Sequence, residues 1–401
     1  MIARFKPYLD KEELFALFQH KPDAVAKFEA EFARTFEAKY ALAFPYGRSA
    51  LWAFFKTLGL EKAEIIMPAY TCSVVAHAIV LSGNIPRFVD ITLYDYNMDL
   101  DQLENAINER TRAIIATHLF GYPLDIDRLK EIVQAAETRW DQKIWVIQDC
   151  AHAFGADWQG KRVCNAGDMA FFGLGISKII TSIQGGMFTT NDPELCSKLQ
   201  AFRNKYFVQP NLPKRIRRLL YLLVIYLAFN EHIYGLVNWL EEETPLLNRL
   251  TKAYHLDEKI HFPPDYLDQM LDIEAQVGLA QLPKYCEIIQ RRKENACYYN
   301  EHLRDVPSWV LPPIVEGATY SHYVARVPDR MSRLNTLRKK GIQLGQLIEY
   351  SVPHMAAYTR YADNQEFPNS WLCSQHTVNL PVQADLHLHQ RKQILELLRD
   401  S

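Results

Sequence analysis

The sequence predicts an α/β fold in which a large, mostly parallel sheet is covered by helices on both faces and is followed by a smaller α+β domain. Between about residues 40 and 205, apolar strand patterns alternate with helical patterns. Such alternation is typical of parallel sheets that are buried on both faces. From about residue 263 the pattern becomes mainly helical, and the 401 residues suffice for two packed lobes.

Each predicted element has a local signal. Short apolar runs indicate buried strands, and apolar residues spaced three or four apart indicate helices, one of which has Asp99 as its expected N-cap. In chain order, the predicted strands are "EIIMPAY", "IPRFVDI", "RAIIATHLFG", "KIWVIQD", "DMAFFGLG" and "GMFTTN", and the helices are "SVVAHAIVLSG", "DLDQLENAINER", "DIDRLKEIVQAAETRW" and "DPELCSKLQAFRNKY". Ligands of such sheets bind beyond the carboxyl ends of the strands, so residues that follow strands are candidates for a site.

The C-terminal part opens with a long helical pattern that Pro283 interrupts. The stretch "SHYVARVP", a helix near "MSRLNTLRKKG" and a closing helix "DLHLHQRKQILELLRD" complete a smaller α+β lobe. We therefore expect a large domain over residues 1–205, a helical insertion over 206–262 and a small domain over 263–401.

The insertion carries a basic cluster followed by an apolar run. The cluster comprises Lys214, Arg215, Arg217 and Arg218, and the run extends for 11 residues from Leu219 to Phe229. A membrane span needs roughly 20 apolar residues, so a span is disfavoured. Two interpretations remain open: a helix packed on the lobes or on a partner subunit, or a helix within 214–240 that lies in a membrane interface against anionic lipid.

Composition limits the function classes. The formal net charge of -2 gives no general attraction to nucleic acid. Seven cysteines without a CxxC pair indicate free thiols in a reducing compartment and no zinc site. The N-terminal residues show no signal-peptide pattern, so we expect a cytoplasmic protein.

Three motifs carry candidate chemistry. Asp149 follows a predicted strand, with Ala151 small enough to admit a flat ring and His152 beside it. Lys178 lies among glycines and isoleucines, where burial would lower the pKa of its amine and allow a Schiff base. A surface turn with a satisfied histidine, and a snorkelling surface lysine, are the simpler readings of these two motifs.

The third motif is a helix start at Gly47, Arg48 and Ser49. Free backbone N–H groups and the helix dipole suit a phosphate there, and the two side chains can add donors. A carboxylate for a ring nitrogen, a lysine for an aldehyde and a helix start for a phosphate together match pyridoxal 5′-phosphate.

The order and spacing of these blocks resemble the DegT/DnrJ/EryC1/StrS sugar aminotransferases, which have the fold-type-I architecture of pyridoxal-phosphate-dependent transferases. The resemblance runs from about Tyr8 to the C-terminus, without 206–262, and its matching stretches include "GRSALWAFFKTLGL", "TRAIIATHLFGYPLDID", "VIQDCAHAFGA", "GDMAFFGLGISKIITSIQGGMFTTND" and "IEYSVPHMAAY". It implies a homodimer with residues shared across the interface.

The resemblance also implies a role for each matching residue. Lys178 would be the Schiff-base lysine and proton carrier, and Asp149 would pair with the pyridine nitrogen. Ala151 would lie against the ring, and His152 would bond to its phenolic oxygen. The phosphate would lie against Ser177 and against the helix start, which contributes Gly47, Arg48 and Ser49.

Some positions depart from the family pattern. Where the family usually has serine, this chain has Gly173, and where the family usually has threonine, it has Arg48. Cys72 stands in place of an aromatic ring that stacks on the cofactor, and Gln184 in place of a glutamate. The family motif "NYRM" is replaced by "LDQM" at Leu267–Met270. We hypothesise that Arg48 compensates for the missing phosphate contacts and that Tyr70, or the Cys72 thiol itself, replaces the stacking ring.

The function that the resemblance implies is amino transfer from glutamate to a nucleotide-linked keto-sugar, for polysaccharide or cell-envelope sugars. His118 and His354 are substrate-side candidates, although a satisfied core histidine is an equal reading of His118. The alternatives are a sugar dehydratase, which typically has histidine where this chain has Lys178, and a catalytically altered cofactor-binding or membrane-associated scaffold.

Overall fold

The computed structural model describes residues 1–19, 22–229, 259–306 and 308–399. The strands of these residues are β1 (Tyr40–Phe44), β2 (Glu64–Pro68), β3 (Ile85–Val89), β4 (Thr111–Thr117), β5 (Trp145–Asp149), β6 (Asp157–Trp158), β7 (Lys161–Arg162), β8 (Met169–Gly173), β9 (Gly186–Thr190), β10 (Tyr323–Arg326) and β11 (Thr377–Leu380).

The helices of the same residues alternate with these strands in the N-terminal half. They are α1 (Lys11–Ala16), α2 (Ala24–Thr35), α3 (Gly47–Thr57), α4 (Ser73–Leu81), α5 (Leu100–Ala106), α6 (Ile126–Trp140), α7 (Pro193–Tyr206), α8 (Leu212–Ala228), α9 (Asp272–Gln281), α10 (Tyr285–Leu303), α11 (Arg330–Lys339), α12 (Pro368–His376) and α13 (Leu388–Arg399). Asp99 is the N-cap of α5, as predicted, and its side chain accepts from two backbone N–H groups.

The central sheet confirms the predicted α/β architecture. In the described residues it has the order β1-β9-β8-β5-β4-β2-β3, and all pairs are parallel except those of β9, which runs against both of its neighbours. The carboxyl ends of β4, β5 and β8 therefore meet at one edge, where Asp149 is in register with Thr117 on one side and Phe171 on the other.

Both faces of this sheet are buried, as the apolar strands predict. Along β4, Ala113 and Ile115 pack into the core beneath α3 and α4, whereas Ile114 and Ala116 pack into the core beneath α5 and α6. This alternation follows from the two-residue period of a strand, and it makes the sheet a rigid platform for residues at its edge.

The C-terminal lobe contains the antiparallel pair β10–β11, whose core includes side chains of α10, α11, α12 and α13. The predicted break at Pro283 is a short 3-10 turn, Leu282–Lys284, between α9 and α10. Although α9 lies in the C-terminal half, it packs against α2, with Gly278 facing the Phe28 ring. The domain borders proposed from the sequence remain predictions.

The apolar run of the insertion is helical as far as α8 extends. The inner face of α8 buries Leu222 and Ile225 against a cluster that includes Ile183 and Val277. Two of its four basic residues form ion pairs within the described part of the chain: Lys214 Nζ lies 2.8 Å from Asp268, and Arg218 lies 2.9 Å from Asp265 and 3.2 Å from Glu274.

The outer face of α8 is apolar and exposed, with Leu212, Ile216, Leu220, Val224 and Leu227 at helical spacing. The N-terminal half of this face is flanked by Arg215 and Arg217, which are exposed as well. Residues 230–258, which include the rest of the predicted 214–240 segment, lie outside the described residues. None of the described helices has the length and hydropathy that a membrane crossing requires.

Candidate active site

Asp149 ends β5 and is buried at the edge of the sheet, with 4% of its surface exposed. Its Oδ1 accepts a hydrogen bond from the Ala151 N–H at 3.1 Å. Burial raises the pKa of this carboxyl to about 6, while that hydrogen bond and the nearby Lys178 act in the opposite direction. A buried carboxylate with acceptor capacity to spare suits a protonated ring nitrogen.

Lys178 lies in the loop between β8 and β9, which is closed by a 2.9 Å bond from Leu174 N–H to the Gly185 carbonyl. A Cβ atom placed on Gly173 would lie 3.3 Å from Lys178 Cε and 3.8 Å from Ala151 Cβ. The lysine side chain therefore passes close to Gly173, and the missing serine side chain leaves room for it. Burial lowers the pKa of Lys178, although Cys72 and Asp149 act in the opposite direction.

His152 is a neutral donor in this arrangement. Its Nδ1 accepts from the Phe120 N–H at 3.3 Å, so the ring proton lies on Nε2. The ring stacks on Phe120 with centroids 6.0 Å apart and lies 5.0 Å from His322. Burial, with help from Lys178 and His322, lowers the pKa of His152 well below its ordinary value, which keeps the ring uncharged.

The helix start at Gly47 approaches the same edge from β1. A Cβ atom on Gly47 would lie 2.9 Å from the Phe172 carbonyl oxygen, so the loop reaches the end of β8 because this residue is glycine. The Ser49 hydroxyl donates to the Tyr266 carbonyl at 2.8 Å, and the Arg48 guanidinium lies 4.6 Å from the centre of the Tyr46 ring. The proposed phosphate contact of Arg48 remains a prediction.

Ser177 and Cys72 both lie near the lysine. Ser177 lines a small cavity with Lys178, and Cys72 is the half-buried N-cap of α4. Tyr70 is not placed to stack beside them, because its hydroxyl is bonded to the Ile348 carbonyl and Thr377 inside the core of the small lobe. Tyr350 is the aromatic ring beside Cys72, and its hydroxyl accepts from the Ser73 N–H at 3.0 Å.

His118 lies in the core rather than at a substrate surface. Its Nε2 is 2.8 Å from Gln148 Oε1, and its Nδ1 accepts from the Leu124 N–H at 3.0 Å. With both nitrogens bonded inside the protein, the structure favours the core-histidine reading over the substrate-side one. Burial lowers the pKa of His118 to about 4.

A loss of stability in mild acid follows from this histidine. The unfolded chain binds a proton at His118 near pH 6.5, whereas the folded chain does so only near pH 4. Stability is therefore lost as the pH falls from 6.5 to 4, by about 3 kcal/mol from this group. In urea unfolding, His118→Gln should reduce that pH dependence and the exposed His389→Gln should not, so equal slopes in both variants would contradict the assignment.

His354 is exposed on the 3-10 turn Val352–His354. Its Nδ1 is bonded to the Ser351 hydroxyl at 3.0 Å, and its ring packs on Trp371 with centroids 4.8 Å apart. These contacts hold the ring in the small lobe, and its substrate-side role remains a prediction.

Gln184, which stands where the family usually has glutamate, belongs to a network of buried and half-buried polar groups. Its amide donates to the Tyr46 hydroxyl, and that hydroxyl donates to Asp265 at 2.8 Å. Arg218 forms ion pairs with both Asp265 and Glu274. Burial raises the pKa of the Glu274 carboxyl to about 7. A neutral donor fits here because two carboxylates already share one guanidinium.

Replacing Gln184 with glutamate should destabilise the fold. A third carboxylate would lose the bond to Tyr46 and add like charge to Asp265 and Glu274, at about 1–3 kcal/mol. Urea unfolding at neutral pH should show this loss in Gln184→Glu, whereas the exposed Gln134→Glu should retain the wild-type midpoint.

Two residues near Lys178 were not predicted from the sequence. His322 precedes β10 and is near enough to Lys178 for that charge to lower its pKa, after burial itself. Arg292 lies on α10 and lines the same cavity as Lys178. The spacing of Arg292 from the buried Ile288, Asn295 and Tyr299 was a usable signal, because it places the arginine on the inward stripe of the helix.

Comparison with known proteins places this chain in a family. The profile of the DegT/DnrJ/EryC1/StrS aminotransferase family matches residues 17–224 and 251–399. The chain belongs to this family. Its members are pyridoxal-phosphate-dependent, so the family and cofactor predictions are confirmed.

Individual DegT/DnrJ/EryC1/StrS relatives are similar along most of the chain. GDP-perosamine synthase of Caulobacter vibrioides is 32% identical over 372 residues, with 90% of this chain and 85% of the relative covered. GDP-4-keto-6-deoxy-D-mannose 3-dehydratase of Yersinia pseudotuberculosis is 28% identical over 71% of this chain and 65% of its own length. The crystal structure of AtS13 from Actinomadura melliaura superposes with a TM-score of 0.78 at 25% identity, covering 100% of this chain and 99% of that one.

The residues of this member fit the family's cofactor at its ring end. Asp149 has acceptor capacity for a ring N–H, His152 offers Nε2–H, and Ala151 and Gly173 leave the space that larger side chains would fill. At the phosphate end, the start of α3 and Ser177 are available, while the Ser49 hydroxyl proton is already used by Tyr266.

Proposed function

We propose that this family member transfers an amino group to a nucleotide-linked keto-sugar, in the synthesis of a polysaccharide or cell-envelope sugar. The observation that carries the proposal is the position of Lys178, whose side chain passes close to Gly173 and near Asp149 while burial lowers its pKa. The GDP-linked products and substrates in the names of two relatives support a nucleotide-linked sugar.

Each residue then has a defined task. Pyridoxal phosphate supplies an aldehyde and an electron-accepting ring when bound. Asp149 would accept a hydrogen bond from the ring nitrogen, and His152 would donate one from Nε2 to the phenolic oxygen. Ser177 and the N–H groups at Gly47 would hold the phosphate. Lys178 would hold the aldehyde and would accept and return a proton at Nζ during amino transfer.

A dehydratase is the second candidate, because a relative carries that name. By the family resemblance, a dehydratase has histidine where this chain has Lys178, so the lysine favours amino transfer. A scaffold that binds the cofactor without turnover is the third candidate, motivated by the altered positions Arg48, Gly173 and Gln184.

Absorption spectra separate the three candidates. The purified protein with added cofactor should absorb in the visible, lose that band with L-glutamate, and regain it when a GDP-linked keto-sugar is added. A protein that binds cofactor but keeps its band with every amino donor would be a scaffold. Release of water from the sugar without consumption of glutamate would identify a dehydratase and contradict the proposal.

We also propose that the protein works in the cytoplasm as a homodimer, as the resemblance implies, and contacts an anionic membrane through α8. The apolar stripe Leu212, Ile216, Leu220, Val224 and Leu227 faces outward. Arg215 and Arg217 flank Ile216 on opposite sides of the stripe, and both are exposed. A helix that lies in a bilayer interface has this pattern, with an apolar face between cationic side chains that reach the headgroups.

Liposome flotation tests the membrane contact. The full-length protein should float with vesicles containing phosphatidylserine and remain below with neutral vesicles. Leu220→Gln and the double change Arg215→Gln, Arg217→Gln should each reduce flotation, whereas Lys198→Gln, on the exposed surface of α7, should not. Unchanged flotation of these variants would contradict the membrane contact. Variants that become monomeric but still float would show that the stripe binds the partner subunit instead.

A further inference from the structure

The start of α3 rests on the central sheet at a glycine. A Cβ atom on Gly186, the first residue of β9, would overlap the peptide that joins Tyr46 to Gly47, so this peptide reaches the sheet because Gly186 has no side chain. Tyr46 is the N-cap of α3, and its carbonyl accepts from the N–H groups of Ser49 and Ala50 at 3.1 and 3.2 Å. The orientation of the first turn of α3 therefore depends on how Tyr46 is held.

Side chains of this turn are held by residues 265–266, just after the predicted insertion. The Tyr46 hydroxyl donates to Asp265 Oδ1 at 2.8 Å, and the Ser49 hydroxyl donates to the Tyr266 carbonyl at 2.8 Å. The Arg48 guanidinium lies over the Tyr46 ring, 4.6 Å from its centre. The first turn of α3 is thus attached by two hydrogen bonds to a segment about 220 residues later in the chain.

Asp265 is in turn held by α8. It is buried, and its two oxygens have separate partners: Oδ1 accepts from Tyr46, and Oδ2 accepts from Arg218 Nη2 at 2.9 Å. A second ion pair, between Lys214 of α8 and Asp268, attaches the same segment to this helix. The carboxylate of Asp265 therefore joins α8 to the start of α3.

The Tyr46 hydroxyl is the donor in its bond to Asp265. Burial, with the charge of Asp265, raises the pKa of Tyr46 above its ordinary value, so the hydroxyl keeps its proton. The Gln184 amide donates to the oxygen of the same hydroxyl. With its proton and its oxygen both engaged, the Tyr46 side chain is fixed at the tip of the ring.

We propose that Asp265 is a positioning residue for the cofactor phosphate, an assignment that rests on the phosphate contact of α3 in the proposed function. Asp265 fixes Tyr46, and Tyr46 fixes the turn whose N–H groups would receive the phosphate. Because hydrogen bonds weaken steeply with misalignment, a turn that is free to shift binds an anion less tightly. Through Asp265, Arg218 of α8 thus influences the affinity for the cofactor.

Titration of the cofactor-free, full-length protein with pyridoxal phosphate and with pyridoxal, which lacks the phosphate, tests this role. Tyr46→Phe keeps the ring and removes the hydroxyl, so the dissociation constant of pyridoxal phosphate should rise about 10-fold, while that of pyridoxal stays unchanged. Tyr206→Phe, at the exposed end of α7, should match the wild type with both ligands. Equal weakening of both ligands in Tyr46→Phe, or unchanged binding of both, would overturn the proposal.

A double-mutant cycle tests the part of Asp265. Asp265→Ala should weaken pyridoxal phosphate as Tyr46→Phe does, and the double variant should be little weaker than either, because each change removes the same bond. Asp268→Ala, which removes the other ion pair with α8, should keep the wild-type ratio of the two dissociation constants. Additive losses in the double variant, or the same loss in Asp268→Ala, would overturn the assignment.

A third measurement needs no variant that binds the cofactor. Inorganic phosphate should raise the unfolding temperature of the cofactor-free wild type and should do so less in Tyr46→Phe, whereas Tyr206→Phe should respond as the wild type does. An equal response of Tyr46→Phe and the wild type would contradict the positioning role. These binding results are independent of turnover, so a protein that shows them without transferring amino groups would refute the proposed function and leave the role of Asp265 standing.

Discussion

Lys178→Met should lower the rate of amino transfer at least about 10³-fold, because methionine keeps the length of the side chain and removes the amine that binds the aldehyde and carries the proton. The wild-type protein, loaded with cofactor and reduced with borohydride, should carry the added mass on the peptide that contains Lys178. Steady-state assays and peptide mass spectrometry measure the two effects.

The control for this change is Lys198→Met, which makes the same replacement on the exposed surface of α7. It should leave both the rate and the modified peptide unchanged. Modification of another lysine in the wild type, or near-normal turnover in Lys178→Met, would contradict the assignment of Lys178.

Asp149→Asn should lower turnover at least about 10²-fold while making the cofactor-free protein more stable. The amide cannot balance the charge of a protonated ring nitrogen, so the electron-accepting form is lost. At neutral pH the folded carboxylate, with its pKa near 6, is unfavourable relative to the unfolded one by up to about 3 kcal/mol, and the amide removes that penalty.

Opposite signs for activity and stability make the Asp149 prediction specific. Urea unfolding of the cofactor-free protein measures the gain, and steady-state assays measure the loss. Asp192→Asn is the matched control, because asparagine is an equally good N-cap for α7 and should leave both quantities unchanged. A fall in stability together with activity would point to a structural role for Asp149.

The strands of the parallel sheet could be predicted because each is a short run of apolar residues buried on both faces. β1 was not predicted, since its partner β9 is distant in the chain and its pairing is set by tertiary contacts. The helix α8 was visible as an apolar run, but the sequence did not reveal which of its basic residues would meet carboxylates.

The positions of Asp149 and Lys178 at the sheet edge were predictable because each polar residue interrupts apolar surroundings, whereas their catalytic roles stay predictions. His118 has the same local appearance, and only the bonds to Gln148 and Leu124 distinguish it as a core residue. The inward position of Arg292 was not predicted, because a run of basic residues on a helix usually indicates a solvent-exposed face. The cavity that Arg292 lines also forms only when the two lobes meet.

The inner face of α8 has a consequence for control of the enzyme. Leu222 and Ile225 pack in one cluster with Ile183 and Ile176, which belong to the loop that carries Lys178. If a ligand that shifts α8 also shifted this loop, cofactor binding would have to change the affinity for that ligand by the same factor. Under the proposed membrane contact, a membrane at the outer face of α8 would then influence the loop that carries Lys178 as well as hold the protein in place.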